Sequence, residues 1–237
     1  MRVAEKDIFM KKKLTYIKNY NSYVICSGIS CEDFLKKCGE DKNILVVKGD
    51  CMGDRAINGF EVFYGIDKFI DSIKDNCYGD LCFMDFEGEN SPEALEYDEI
   101  ADMLYCAHMF KGKKVFYEAL KNTFYLLAHD NDFYVKIYYR DESLVKKMIN
   151  GKITSIFKER LKRDINNIPE GILNSLTDMC RSGLLIDCEY DKAELSIICK
   201  AEAVNADDLY NNIENIRNNC KISGILNYRN DDWELKI

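Results

Sequence analysis

The segment from Phe124 to Tyr139 limits the fold more than any other part of the chain. It holds two aromatic-rich runs, YLLAH and FYVKIYY, around the cluster Asp130-Asn131-Asp132. Runs of this length, rich in Tyr, Phe, Val and Ile, are strand material, and Asp and Asn between them turn the chain back on itself. Aromatic side chains meeting across such a hairpin stabilise it further. This predicts antiparallel pairing, and much of the remaining sequence is written in the same style.

Runs 13–18 and 22–26, broken at Asn19 to Asn21, read as a first pair of short strands. Ser30 is placed to cap a short helix that stops at Gly39, with Asp33 favourably near its N-terminus. ILVV at 44–47 reads as a buried strand, and the Gly-, Asp- and Asn-containing KGDCMGDRAINGFEVFYG as a loop. A helix over 67–74 carries Phe69, Ile70 and Ile73 on one side, and 81–86 reads as a strand. Ser91-Pro92-Glu93 has the chemistry of a helix start. A helix over 91–110 places Tyr97, Ile100, Met103, Leu104 and Ala107 on one apolar face, with Asp98, Glu99 and Asp102 turned away. Helices over 142–163 and 172–181 follow, then hairpins over 184–200 and 222–237 with a helix over 205–219 between them.

The strands come as hairpins and never alternate regularly with helices. The class expected is therefore α+β, with mixed or antiparallel sheets built from hairpins and helices packed on them. NNIPEG at 166–171 is the best break. It divides the chain into an α+β domain, 1–165, carrying the acidic stretch, and a smaller α+β C-terminal unit, 170–237.

Eleven cysteines do not make a disulfide scaffold here: the number is odd, no pair has C-x-x-C spacing, and most sit in apolar runs such as LCFMDF and SIICKA. Residues 1–20 lack the apolar region of a signal peptide, and no run approaches the length of a membrane span. A reduced, cytoplasmic protein without membrane contact is expected.

Charge is unevenly spread. The chain carries a net charge of −8, yet residues 75–110 alone hold ten carboxylates and no Lys or Arg. Residues 143–163 are the mirror, with seven Lys or Arg and one Glu. Local fields of this size say more about partners than the total does. The two blocks could also neutralise each other inside the fold, and the arrangement of the elements decides that point.

No catalytic motif emerges. Cys106 and His108 are two residues apart on a helix and point to different sides. GDCMGD has neither of the phosphate-loop glycine spacings. Asp50 and Asp54 after ILVV, with Asp85 and Glu87 at the end of LCFMDF, are oxygen ligands a divalent cation could use. They would give a metal-dependent phosphoryl-transfer or hydrolase enzyme, although the same residues also serve simply to make turns.

The leading expectation is a non-enzymatic intracellular binding protein without a cofactor. Its acidic surface, with Glu87, Glu89, Glu93, Asp98, Glu99 and Asp102 as contacts, would occupy a basic partner protein such as a nuclease or another nucleic-acid-binding enzyme. A toxin-neutralising immunity protein, or a phage-encoded inhibitor of a host defence nuclease, has this profile, because filling a basic cleft needs no chemistry. Direct nucleic-acid binding is disfavoured by the negative overall field.

Overall fold

The fold is that of a computed structural model. It describes residues 14–39, 41–47, 59–75, 80–87, 92–109, 114–129, 134–187, 194–199 and 224–237. The strands are β1 (Leu14–Asn19), β2 (Tyr23–Ser27), β3 (Asn43–Val47), β4 (Phe60–Phe63), β5 (Leu81–Phe86), β6 (Phe124–His129), β7 (Tyr134–Tyr139), β8 (Leu184–Asp187), β9 (Glu194–Cys199), β10 (Gly224–Arg229) and β11 (Asp232–Lys236). The helices are α1 (Cys31–Cys38), α2 (Ile66–Asp75), α3 (Tyr97–Met109), α4 (Ser143–Leu161) and α5 (Glu170–Cys180).

Among the described residues the eleven strands form one sheet in the order β11-β10-β9-β8-β1-β2-β7-β6-β5-β3-β4. Every neighbouring pair is antiparallel. The α+β class built from hairpins is thus the observed one. The β6–β7 hairpin runs in register from Phe124 opposite Tyr139 to His129 opposite Tyr134.

Alternation along the strands divides the core in two. Phe124, Leu126, Val135 and Ile137, with Ile44, Val46, Leu81 and Phe83, face a layer made of α1, α2, α4 and α5. Tyr125, Leu127 and Tyr138, with Leu45, Val47, Cys82, Met84 and Phe86, face α3 and the segment before β6. This explains why LCFMDF is buried at all six positions: β5 is covered on both faces and so lacks a polar alternation. Phe34 of α1 meets Phe124 edge-on at 5.0 Å, and Phe69 of α2 meets Phe83 at 4.9 Å. At the other end Trp233 stands edge-on to Phe157 of α4 at 5.0 Å, fastening the β10–β11 hairpin to that helix.

Local signals act as their chemistry requires. The Ser30 hydroxyl accepts from the Asp33 N–H at 3.1 Å, and the Gly39 N–H donates to the Leu35 carbonyl at 2.8 Å, closing both ends of α1. The six cysteines whose side chains are described, Cys26, Cys31, Cys38, Cys82, Cys106 and Cys180, are not joined in disulfides. No helix among the described residues is long and apolar enough to cross a membrane.

Three expectations change. FEVF, read as part of a loop, is the edge strand β4, paired with β3 from Ile44–Phe63 to Val47–Phe60. All four of its residues are half-buried, so no alternation marks it. Residues 91–110 are not one helix: a 3-10 turn, Pro92–Ala94, precedes α3, which begins at Tyr97. Tyr97 is 89% exposed rather than part of the packed face, which Met103, Cys106 and Ala107 form with partly buried Ile100 and Leu104. The helix expected over 205–219 lies outside the described residues. The break at 166–171 joins α4 to α5, and β1 pairs with β8 beyond it, from Leu14–Asp187 to Ile17–Leu184.

Candidate functional site

Two surfaces carry unusual charge, one on each face of the sheet. The first is α3 and the turn before it. Between Pro92 and Met109 there are five carboxylates and no Lys or Arg. Glu93, Glu96 and Asp98 are exposed, while Glu99 and Asp102 are half-buried. Glu99 is neutralised locally: its Oε1 is 2.5 Å from Lys114 Nζ, and its Oε2 accepts from the Glu96 N–H at 3.2 Å. The bond from Lys114 holds the Glu99 carboxyl below its usual range. Among the described residues no cation lies within 4 Å of Glu96, Asp98 or Asp102. Residues 97, 101 and 105 fall one helical turn apart on one face, with 98 and 102 beside them. That face carries Tyr97, 89% exposed, and Tyr105, 48% exposed. These tyrosines were not among the expected contacts, although Tyr97 stands between Glu96 and Asp98 in the sequence.

The other residues expected as contacts fall elsewhere. Glu87 is exposed at the end of β5, 3.8 Å from Lys42, and Glu89 lies outside the described residues. Among the described residues the ion pairs of Lys146, Lys152, Lys158 and Arg163 in the basic block do not run to the acidic one. They run to the basic block's own side of the sheet: Lys146–Glu170 at 2.6 Å, Lys152–Asp33 at 3.8 Å, Lys158–Asp164 at 3.1 Å and Arg163–Asp231 at 2.7 Å.

Asp85 is fully buried on the α1–α4 side. Its Oδ1 accepts from the N–H groups of Thr123 at 2.7 Å and Phe124 at 2.8 Å, and its Oδ2 from the Thr123 hydroxyl at 2.6 Å. Lys42 Nζ lies 3.6 Å away. Burial pushes the Asp85 carboxyl above the ordinary aspartate range, against the pull of those donors and of Lys42. The residue thereby ties the end of β5 to the start of β6. Asp50 and Asp54, the other oxygens of the metal reading, lie outside the described residues. Among the described residues no group of three or more His, Cys, Asp or Glu could hold a metal ion.

The histidines and cysteines separate. His108 is exposed on α3, and His129 Nδ1 lies 2.5 Å from Asp80 Oδ1. Cys106 is buried, and burial pushes its thiol up. Cys82 donates to the Tyr125 hydroxyl at 3.1 Å, and burial pushes that thiol well up too. These are neutral core thiols rather than nucleophiles.

The second surface is a cavity of about 270 Å³ at the end of the sheet where β3 and β6 begin. Lys37 and Cys38 close α1 over it, Lys42 and Thr123 come from the segments entering β3 and β6, and Asp141 and Lys147 stand at the start of α4. The Asp141 carboxylate accepts from the Ser143 N–H at 3.1 Å and from the Ser143 hydroxyl at 2.5 Å, which holds it below the usual range. The Cys38 thiol is pushed up to about 12 by burial and points to the Leu144 carbonyl at 3.8 Å.

Comparison of the chain with protein-family models, with curated proteins and with solved structures finds no match.

Proposed function

We propose that this is a non-enzymatic binding protein whose α3 surface occupies a basic partner protein, as an immunity protein or an inhibitor of a nucleic-acid-binding enzyme does. One observation carries the reading: Asp98 and Asp102 flank exposed Tyr97 and Tyr105 on the sheet face opposite the basic helix. Unpaired carboxylates steer a basic partner toward the surface and penalise wrong ones. Tyrosine supplies the contact area, being rigid, amphipathic and frequent among residues that dominate interfaces. The contact set differs from the one expected from sequence in that Glu99, held by Lys114, contributes less, and the two tyrosines contribute more.

The test is made in two steps. Tagged full-length protein first retrieves a partner at low salt, and the purified partner is then titrated with wild type, Tyr97→Ala and the double variant Asp98→Lys/Asp102→Lys. Tyr97→Ala is expected to weaken binding by about 2 kcal/mol, roughly thirtyfold. The double variant is expected to slow association and to flatten its salt dependence. A partner that binds both variants as it binds wild type overturns the reading.

A further inference from the structure

The cavity at the start of α4 is separate from the α3 surface and on the other face of the sheet. We propose that it binds a phosphate group, either inorganic phosphate or the phosphate of a small monoester. Three lysines, Lys37, Lys42 and Lys147, from three different parts of the chain, line one hollow whose described lining residues include a single carboxylate, Asp141. In a protein of net charge −8 this is a local reversal of sign. Gathering like charges costs free energy that a bound anion returns.

Two of the lysines, Lys37 and Lys147, are also available, and the third is only loosely paired. Among the described residues no carboxylate lies within 4 Å of the ammonium group of Lys37 or Lys147. Lys42 has two, Asp85 at 3.6 Å and Glu87 at 3.8 Å, both longer than a hydrogen bond. The Asp141 oxygens are occupied by Ser143, and the first N–H groups of α4 are spent on Asp141 and Glu142. The anion is therefore held by ammonium groups, as point charges, rather than by the helix terminus. About 270 Å³ suits a phosphate with a few further atoms and is below the usual range for larger ligands.

Gly151 helps to place one of the three. A Cβ there would come within 2.6 Å of Lys37 Cγ, so the glycine lets the stem of Lys37 lie across α4. A side chain at position 151 would push that stem aside.

Inorganic phosphate is titrated into the full-length protein at constant ionic strength, with chloride as the balancing anion. Binding is followed by calorimetry and by the phosphorus resonance. Saturable binding is expected, weakened at least about tenfold in Lys37→Gln/Lys147→Gln, the loss of two charge-assisted contacts. Both lysines are exposed, and circular dichroism checks that the variant keeps its fold. Asp141→Asn keeps an oxygen for Ser143 and removes the only negative charge among the described lining residues, so it is expected to tighten phosphate binding. Gly151→Ala is expected to weaken it. Glycerol phosphate binding more tightly than inorganic phosphate identifies a monoester as the ligand, and weaker binding identifies free phosphate. No saturable binding, equal binding by the double lysine variant, or weaker binding by Asp141→Asn would each overturn the proposal.

Discussion

α3 and α4 carry the two charge blocks of the chain on opposite faces of one sheet, and the two helices treat their charges differently. α4 buries Leu144, Val145, Met148, Ile149, Ile153 and Phe157; its Lys146 and Lys152 meet carboxylates of α5 and α1, and Arg163, just past its end, meets Asp231 of the β10–β11 hairpin. α3 buries a narrower set, and its carboxylates meet Lys114 alone among the described residues. A sheet with side chains on both faces lies between the blocks, and exposed charges are screened over about 8 Å at physiological salt. Blocks of opposite sign in one sequence therefore need not cancel. Asp85 shows the same rule from the other side: it belongs to the acidic stretch, but its strand position turns it toward α4, and there it is fully paired.

The largest expected effect tests whether α4 is structural. Phe157→Ala removes the ring that packs against the Tyr228–Trp233 pair and should cost about 3–5 kcal/mol in urea unfolding. A loss under 1 kcal/mol on that scale would mean the β10–β11 hairpin does not depend on α4.

Asp85→Ala comes next, at about 3 kcal/mol, because three donors lose their acceptor in the interior. Its pH signature has a definite sign. The folded carboxyl titrates above the unfolded one, near 3.9, so in the interval between them the folded state keeps a proton that the unfolded state has lost. This group's contribution is thus fully present below the unfolded pKa, and it is lost as pH rises through the folded pKa. Urea midpoints measured across that range should show the decline in wild type and not in Asp85→Asn. A decline of equal size in both would assign it to another group.

The smallest effects concern α3 itself. Asp102 sits in mid-helix one turn from Asp98, where a like charge and a modest helix former both cost stability. Asp102→Ala should therefore stabilise by about 0.5 kcal/mol. Tyr97→Ala should change stability by less than about 0.5 kcal/mol, since the ring touches little of the protein. A clear loss in either variant would make α3 a structural element like α4 and break the contrast.

The parts of this arrangement that could be read in advance were those governed by local chemistry. The β6–β7 hairpin, the Ser30 and Gly39 ends of α1, and α4 follow from turn residues, caps and periodicity. β4 did not, because an edge strand with four half-buried residues in Gly- and Asn-containing sequence has no pattern to display. Tyr97 was misplaced because periodicity alone sets it beside Ile100. Helical side chains lean toward the N-terminus, and the first residue of α3 leans past the layer it would have joined. The lysine cavity had no signal at all: Lys37, Lys42, Thr123 and Lys147 come together only through the order of strands and the packing of α1 on α4.

The pairing of β1 with β8 has a consequence for how the molecule is made. The first described strand lies in the middle of the sheet, and one of its two neighbours is synthesised more than 160 residues later. Until β8 emerges from the ribosome, β1 has an open edge, the kind that recruits strands from other chains. Closing that gap joins residues far apart in sequence, which is slow for entropic reasons. Nascent chains stalled before residue 170 should then be the most aggregation-prone form of this protein, and a chaperone that shields strand edges should matter most at that length.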